Sequence, residues 1–322
     1  MRVPRYVCCA LVLVALLAGG LSAAPTVQRI SIATGGTGGV YFVLGGGLAR
    51  LISQHIPGVQ ATAEVTSASV DNMRLIGAKR ADLAFTLNDT AYDAWKGLAD
   101  FRGSPVPIRV LVPVYDNYNH LVTLDGTGIH RVADLRGKRV SVGSPGSGTE
   151  VTALRILRAA GIDPDRDIRK ERLGVAPSAD ALRDRKIDAF FWSGGLPTPA
   201  VLDLASTPGI RVKIVPMDDL VEPLRKEFGP LYFRAVISRV VYPGMDQPVP
   251  TIGVANLLVV HQDFPEDLAY RITRLIFERK AELETVHREA KNITLLRITG
   301  RTPIPFHPGA ARYYRERGVP GF

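Results

Sequence analysis

Residues Arg139–Glu150 read RVSVGSPGSGTE, and Arg29–Val40, 110 positions earlier, read RISIATGGTGGV. Both begin with a basic residue and a short β-branched run, break into glycine and hydroxyl residues, and lead into an apolar-periodic stretch. A β-branched run reads as a strand, a Gly/Ser/Thr cluster ends it, and apolar residues spaced three and four apart read as a helix. The chain thus spells strand, small-residue loop and helix twice.

The correspondence extends outward. After the first loop, Val40–His55 is apolar on one face, Gln60–Thr66 alternates as a strand, Ser67-Ala68-Ser69 precedes a short helix VDNMRLIGAKR, and RADLAFT is a buried strand opened by Asp82. After the second loop, Thr149–Ala160 is a helix ending at Gly161, IRKERLG is a strand, Ser178 is placed to cap ADALRDRK, and KIDAFFW is a buried strand with Asp188 where the first copy has Asp82. Each copy reads β–α–β–α–β, which requires parallel pairing through right-handed crossovers and argues α/β class. A period near a hundred residues is too long for a solenoid, so the copies are expected to be two similar lobes. Two β-rich stretches, Ile108–Leu124 and Thr251–Val260, have the length to run out of one lobe and back from the other as a two-strand hinge. PEDLAYRITRLIFERKAELETVHREAKN reads as one long amphipathic helix and PGAARYYRERG as a last short one, both completing the first lobe. The expected domains are 25–116 for the first part of lobe 1, 117–252 for lobe 2, and 253–322 for the return to lobe 1 with the C-terminal helices.

Composition narrows the function classes. A chain of 322 residues, 46% hydrophobic and 22% charged, can bury a large core in about two domains. Arg2 and Arg5, an apolar run Val7–Leu17 too short to span a bilayer comfortably, and the small residues Gly19–Ala24 predict a cleavable signal peptide over 1–24 and hence an exported protein. Both cysteines, Cys8 and Cys9, fall inside that segment, so disulfide frameworks and thiolate chemistry are excluded from the remainder. The formal charge of +9 favours anionic ligands or surfaces. Nucleic acid is not expected, because the basic residues are interspersed with acids and no basic–aromatic stripe occurs.

The loops themselves point to an anion. In an open α/β sheet, ligands bind where parallel strands end and helices begin. Free backbone N–H groups and the helix dipole there favour negative charge. Glycines at 35, 36, 38 and 39 let the backbone approach closely, and Thr34, Thr37, Ser144, Ser147 and Thr149 add hydroxyls. Two such loops facing one another would clamp a small anion from opposite sides. Other chemistries fit poorly. Gly143 and Gly148 have Walker A spacing, but Thr149 and Glu150 stand where Lys and Ser/Thr are required. Gly36-x-Gly38 has Tyr41 at the third position of a dinucleotide fingerprint, and no nucleophile elbow surrounds Ser147 or Ser193. The histidines (His55, His120, His130, His261, His287, His307) show no metal-ligand spacing, so neither a metal nor a cofactor is expected. Asp82 and Asp188 read as strand-start structural groups, and Tyr92 and Trp95, sharing a helix face, as core.

ATGGTGGVYFVLGGGLA, TSASVDNMRLI, ADLAF, DLRGKRVSVGSPGSGTE, KIDAFFWSGGLPTPAV and PFHPGAARYY, in that order, resemble the TAXI class of solute receptors of tripartite ATP-independent periplasmic (TRAP) transporters. The resemblance covers almost the whole exported part of the chain. It implies a type II periplasmic-binding-protein fold, with two α/β lobes closing on a small carboxylate: an amino acid, a 2-oxo acid or a dicarboxylate. The solute then passes to a separate membrane permease, and the receptor is expected to act as a periplasmic monomer in a Gram-negative bacterium. It implies that Gly36, Thr37 and Tyr41, with Ser67 and Ser69 nearby, line one side of the site. Ser144, Ser147, Gly148 and Thr149 would line the other, with Trp192–Gly195, including Gly194, closing it. Arg74, Arg234 and Arg239 are candidates for a second carboxylate. One departure stands out: Leu87-Asn88-Asp89 replaces the family's Gln-Ser-Asp type sequence. Asp89 then reads as a helix N-cap, Asn88 as a possible ligand contact, and the apolar Leu87 points to a less polar ligand. The competing class is an enzyme or sensor on the same two-lobed fold, with Glu150 the one obvious candidate base.

Overall fold

The computed structural model describes residues 27–322; the expected signal peptide, with Cys8 and Cys9, lies outside the described residues. The first repeat folds as β1 (Gln28–Ala33), α1 (Val40–His55), β2 (Val59–Glu64), α2 (Ser69–Gly77) and β3 (Leu83–Leu87). Helix α3 (Asn88–Lys96) then leads into the long strand β4 (Ile108–Leu124). The second repeat folds as β5 (Arg139–Ser141), α4 (Gly148–Ala159), β6 (Arg169–Glu171), α5 (Val175–Arg183) and β7 (Ala189–Gly194). Helix α6 (Pro199–Ser206), β8 (Val212–Ile214), α7 (Val221–Phe228) and β9 (Tyr232–Ile237) lead to the second long strand, β10 (Val249–His261). The chain closes with α8 (Glu266–Glu278), α9 (Lys280–Val286) and α10 (Pro308–Glu316).

Strand order displays the repeat. The sheet path runs β2-β1-β3-β10-β4-β7-β5-β6, with β8 on β4 and β9 on β10. At one end β2, β1 and β3 are parallel; at the other β6, β5 and β7 are parallel in the same relative order. Each trio joins the centre through an antiparallel contact, β3 on β10 and β7 on β4. The matched aspartates do the same job twice: Asp82 accepts the Ser31 amide at 2.8 Å, and Asp188 accepts the Arg139 amide at 2.7 Å. Each carboxylate satisfies a β-strand amide that would otherwise be left unpaired. The molecule is thus two α/β lobes of the type II periplasmic-binding-protein kind.

The central strands β4 and β10 are antiparallel to each other and belong to both lobes, pairing from Ile108 with His261 to Tyr118 with Gly253. They are almost continuously apolar and buried, as strands covered on both faces must be. The core follows the lobes. Tyr41, Leu51, Phe85 and the inward face of α8 and α10 pack in lobe 1, while Ile156, Phe191, Leu224 and Tyr232 pack in lobe 2.

Three expectations are corrected. Ser178 does not cap α5: the helix starts at Val175 behind Gly174, and Ser178, inside the first turn, bonds the Ser141 hydroxyl at 2.8 Å. Asp89 is not the cap of α3 but a buried residue one position inside it, accepting from Tyr232 Oη at 2.6 Å and Thr152 Oγ1 at 3.2 Å. The long C-terminal helix is interrupted at Arg279 and ends at Val286. Beyond it a 3₁₀ turn brings Glu289 to the Leu196 amide at 2.6 Å and Arg288 to the Leu196 carbonyl at 2.7 Å. Those tertiary bonds to lobe 2 outweigh continuation of a helix whose repeat pattern the chain retains.

Candidate functional site

A cavity of roughly 310 Å³ lies between the lobes where the two glycine-rich loops meet. Gly36, Thr37 and Tyr41 line it from the first loop and helix α1, with Ser67 and Ser69 from the turn into α2. Ser144, Ser147, Gly148 and Thr149 line it from the second loop, and Trp192 and Gly194 from the end of β7. Two expected contacts are not in the wall. Thr34 is fully buried and donates to the Glu64 carbonyl at 2.6 Å, joining β1 to β2. Asn88, the first residue of α3, is buried and donates to the Arg301 carbonyl at 2.8 Å.

Wall residues that sequence reasoning missed come from three places, the first being Val65 and Thr66 just after β2. Tyr115 and Asn117 project from β4, the strand shared by both lobes. Polar residues in an otherwise apolar hinge strand were the available signal. Gly174–Pro177 form the start of α5, hidden by the expectation that the helix began at Ser178. Leu87, which the sequence marked as a departure, is in the wall; Arg74, Arg234 and Arg239 are not.

The lobes touch directly around the cavity. The Val70 and Asp71 amides at the start of α2 both donate to the Gly146 carbonyl, at 3.1 and 3.2 Å. On the opposite rim the Ala200 amide donates to the Gly38 carbonyl at 3.3 Å. A methyl group at Gly148 would meet Ser69 Oγ at 2.6 Å and Leu87 Cδ1 at 2.7 Å, and one at Gly38 would meet the Ala176 and Ala200 methyls at 3.1 Å. Glycine at these positions permits backbone-to-side-chain approach that any larger residue would hold apart. The conformation is therefore closed.

Three helices, α1, α4 and α5, begin at the cavity wall. Among the described residues no side chain caps α1 or α5. The Ser147 hydroxyl caps α4 by accepting the Glu150 amide at 3.0 Å. First-turn amides without intrahelical partners, backed by three dipoles, make a positive end without any cation. Helix α2 differs, since its first amides are taken by Gly146. Tyr41 stacks on Phe85 and donates to Asn256 Oδ1, and burial pushes its phenol pKa far up, so it stays protonated. Burial does the same for Tyr115. Trp192 donates from Nε1 to Thr198 Oγ1 at 2.7 Å, which fixes its ring over the Gly39 side of the rim. Ala68, between the two wall serines, holds φ at 83°, a strained value for a residue with a Cβ and of the kind that gathers at ligand sites. No group of three or more His, Cys, Asp or Glu that could hold a metal occurs among the described residues.

A family model described as the NMT1-like family matches residues 32–318, which span both lobes and the whole cavity wall. The chain belongs to the NMT1-like family. Solved structures share the fold of this NMT1-like chain at low identity. A protein from Bordetella bronchiseptica RB50 is 17% identical with a TM-score of 0.53, covering 92% of this chain and 91% of that one. An ancestral arginine-binding protein bound to arginine is 13% identical with a TM-score of 0.51, covering 82% and 98%. A binding-protein component of an ABC phosphonate transporter from Pseudomonas aeruginosa is 12% identical with a TM-score of 0.50, covering 81% and 78%. The NMT1-like chain thus has the architecture of periplasmic solute-binding proteins.

Proposed function

We propose that this protein is the periplasmic receptor of a TRAP transporter that captures a small carboxylate between its lobes and presents it to a membrane permease. The observation that carries the reading is the convergence of the α1, α4 and α5 N-termini on one cavity between two lobes. An anion there accepts from amides of both lobes at once, which only the closed form allows, so binding favours closure. The hydroxyls of Thr37, Ser67 and Ser144, with no protein partner among the described residues, are available to the same oxygens. A cleaved signal peptide follows from the basic, apolar and small-residue pattern of the first 24 residues, and action as a monomer and delivery to the permease follow from the resemblance described above.

The test is a melting-temperature screen of short carboxylic acids, each beside its neutral amide. A receptor gains stability as RT ln(1 + [L]/Kd), about 2.7 kcal/mol at a hundredfold excess over Kd. Acids that raise the melting temperature while their amides do not bear out the reading. Amides that work equally well, or turnover of a bound acid detected by NMR, defeat it.

A further inference from the structure

We infer that the ligand of this cavity is a monoanion with an uncharged and mostly apolar body, bearing neither a second acid group nor an ammonium. The inference rests on the receptor reading above and specifies its substrate class. Its basis is the inventory of the wall: among the described lining residues there is no Asp, Glu, Lys, Arg or His.

The charged groups closest in the chain are engaged elsewhere. Asp71 and Arg74 pair with each other at 3.5 Å, and Glu150 pairs with Arg172 at 2.6 Å while accepting the Gly146 amide at 3.1 Å. All four line a separate groove on the outer side of the interlobe contact. Arg155, held by Asp93 at 2.5 Å, lines that same groove and not the cavity wall. Asp89 and Glu289, the carboxylates whose charge reaches Tyr41 and Tyr115, are outside the wall and bonded to other groups. With no charged side chain in the wall, positive potential at its surface comes from the helix ends, where α1, α4 and α5 begin. That suits one anionic group. An ammonium on the neighbouring carbon would be desolvated beside the same positive ends, with no carboxylate to receive it. A second carboxylate at the far end would meet no cation. Either leaves a buried charge unmatched, which costs several kcal/mol even after relaxation.

The remaining wall is largely apolar: Leu87, Tyr41, Tyr115, Val65, Val175 and the Trp192 ring line it. Tyr115 is 2% exposed, and its hydroxyl has no hydrogen-bond partner among the described residues. It offers one neutral donor, suited to a keto or hydroxyl oxygen of the body. The cavity of roughly 310 Å³ is of the size that takes a small organic ligand. A branched aliphatic or phenyl-bearing short acid fits that volume.

The experiment is calorimetric titration of the full chain without its signal segment, against compounds sharing one carbon skeleton. The phenyl set is 3-phenylpropionate, phenylalanine, phenylsuccinate and the neutral 3-phenylpropionamide; the aliphatic set is 4-methylpentanoate, leucine, isobutylsuccinate and 4-methylpentanamide. In the set that binds, the monoacid is expected to bind about a hundredfold or more tightly than its amino and dicarboxylic counterparts. An amino acid or diacid that binds as tightly as its monoacid, with the amide silent, overturns the inference and leaves the receptor reading standing. An amide equal to its acid, or silence of every compound at millimolar concentration, overturns the receptor reading and this inference with it.

Discussion

Gly148 opens helix α4, and alanine is intrinsically the better helix former. The opposite lobe forbids it, since a methyl there would press on Ser69 and Leu87. Overpacking of this kind costs about 1–3 kcal/mol. Because those atoms meet only when the lobes are shut, Gly148→Ala is expected to weaken ligand binding by about ten- to hundredfold. The same variant should leave the melting temperature of the ligand-free protein unchanged or higher; calorimetry and thermal denaturation read the two effects separately. His120 makes a second residue-level prediction. It is fully buried between the Tyr118 carbonyl at 2.8 Å and the Tyr242 hydroxyl at 3.0 Å, and burial pushes its pKa down to about 4. In the unfolded chain the ring takes its proton near pH 6.5. The folded state's advantage is therefore fully present above about pH 6.5 and is lost as pH falls toward 4, by about 3 kcal/mol in all. Melting temperatures of His120→Gln should show a shallower acid decline than the parent over that window. At this scale the loop hydroxyls and glycines were legible from the sequence, because loop chemistry is local. Thr34 and Asn88 lie outside the wall, engaged by the Glu64 and Arg301 carbonyls, partners that sit 30 and 213 positions away in the chain.

Among the elements, the segment after α9 carries the main surprise. Its 3₁₀ turn sets Glu289, 4% exposed, against the loop that follows β7. Glu289 accepts the Leu196 amide at 2.6 Å and the Asn292 side-chain amide at 2.5 Å, while burial pushes its carboxyl pKa up. Arg297 and Arg301 reach Asp116 on β4 from the same segment. Glu289→Ala leaves the Leu196 amide buried without a partner and is expected to lower stability by about 1–3 kcal/mol, measured by denaturant unfolding. Glu289→Gln should recover part of that loss, because an amide oxygen still accepts. Periodicity called for one continuous helix here. Amphipathic spacing records which residues face a core, not whether a different bonding scheme offered by another part of the chain wins.

For the molecule as a whole, the geometry of closure is the point. Direct bonds between lobes, Val70 and Asp71 to Gly146 on one rim and Ala200 to Gly38 on the other, coexist with the shared hinge strands β4 and β10. Two strands crossing between lobes allow bending while keeping each trio of parallel strands intact. Small-angle scattering is expected to show a smaller radius of gyration when a binding acid is added to the parent protein, and no such contraction in Gly148→Ala. A radius that never changes would sink the trap mechanism. What the sequence determined by itself was the repeat, and with it the α/β class, the two lobes, the paired strand-start aspartates and the two small-residue loops. These follow from spacing and residue type within some thirty positions, where propensity and periodicity act. Only the tertiary structure decided the uncharged character of the cavity. The charged side chains near the loops are turned to a groove outside the cavity, Glu150 toward Arg172 and Asp71 toward Arg74. Which groups are left to meet the ligand is therefore a property of packing, and no local pattern encodes it.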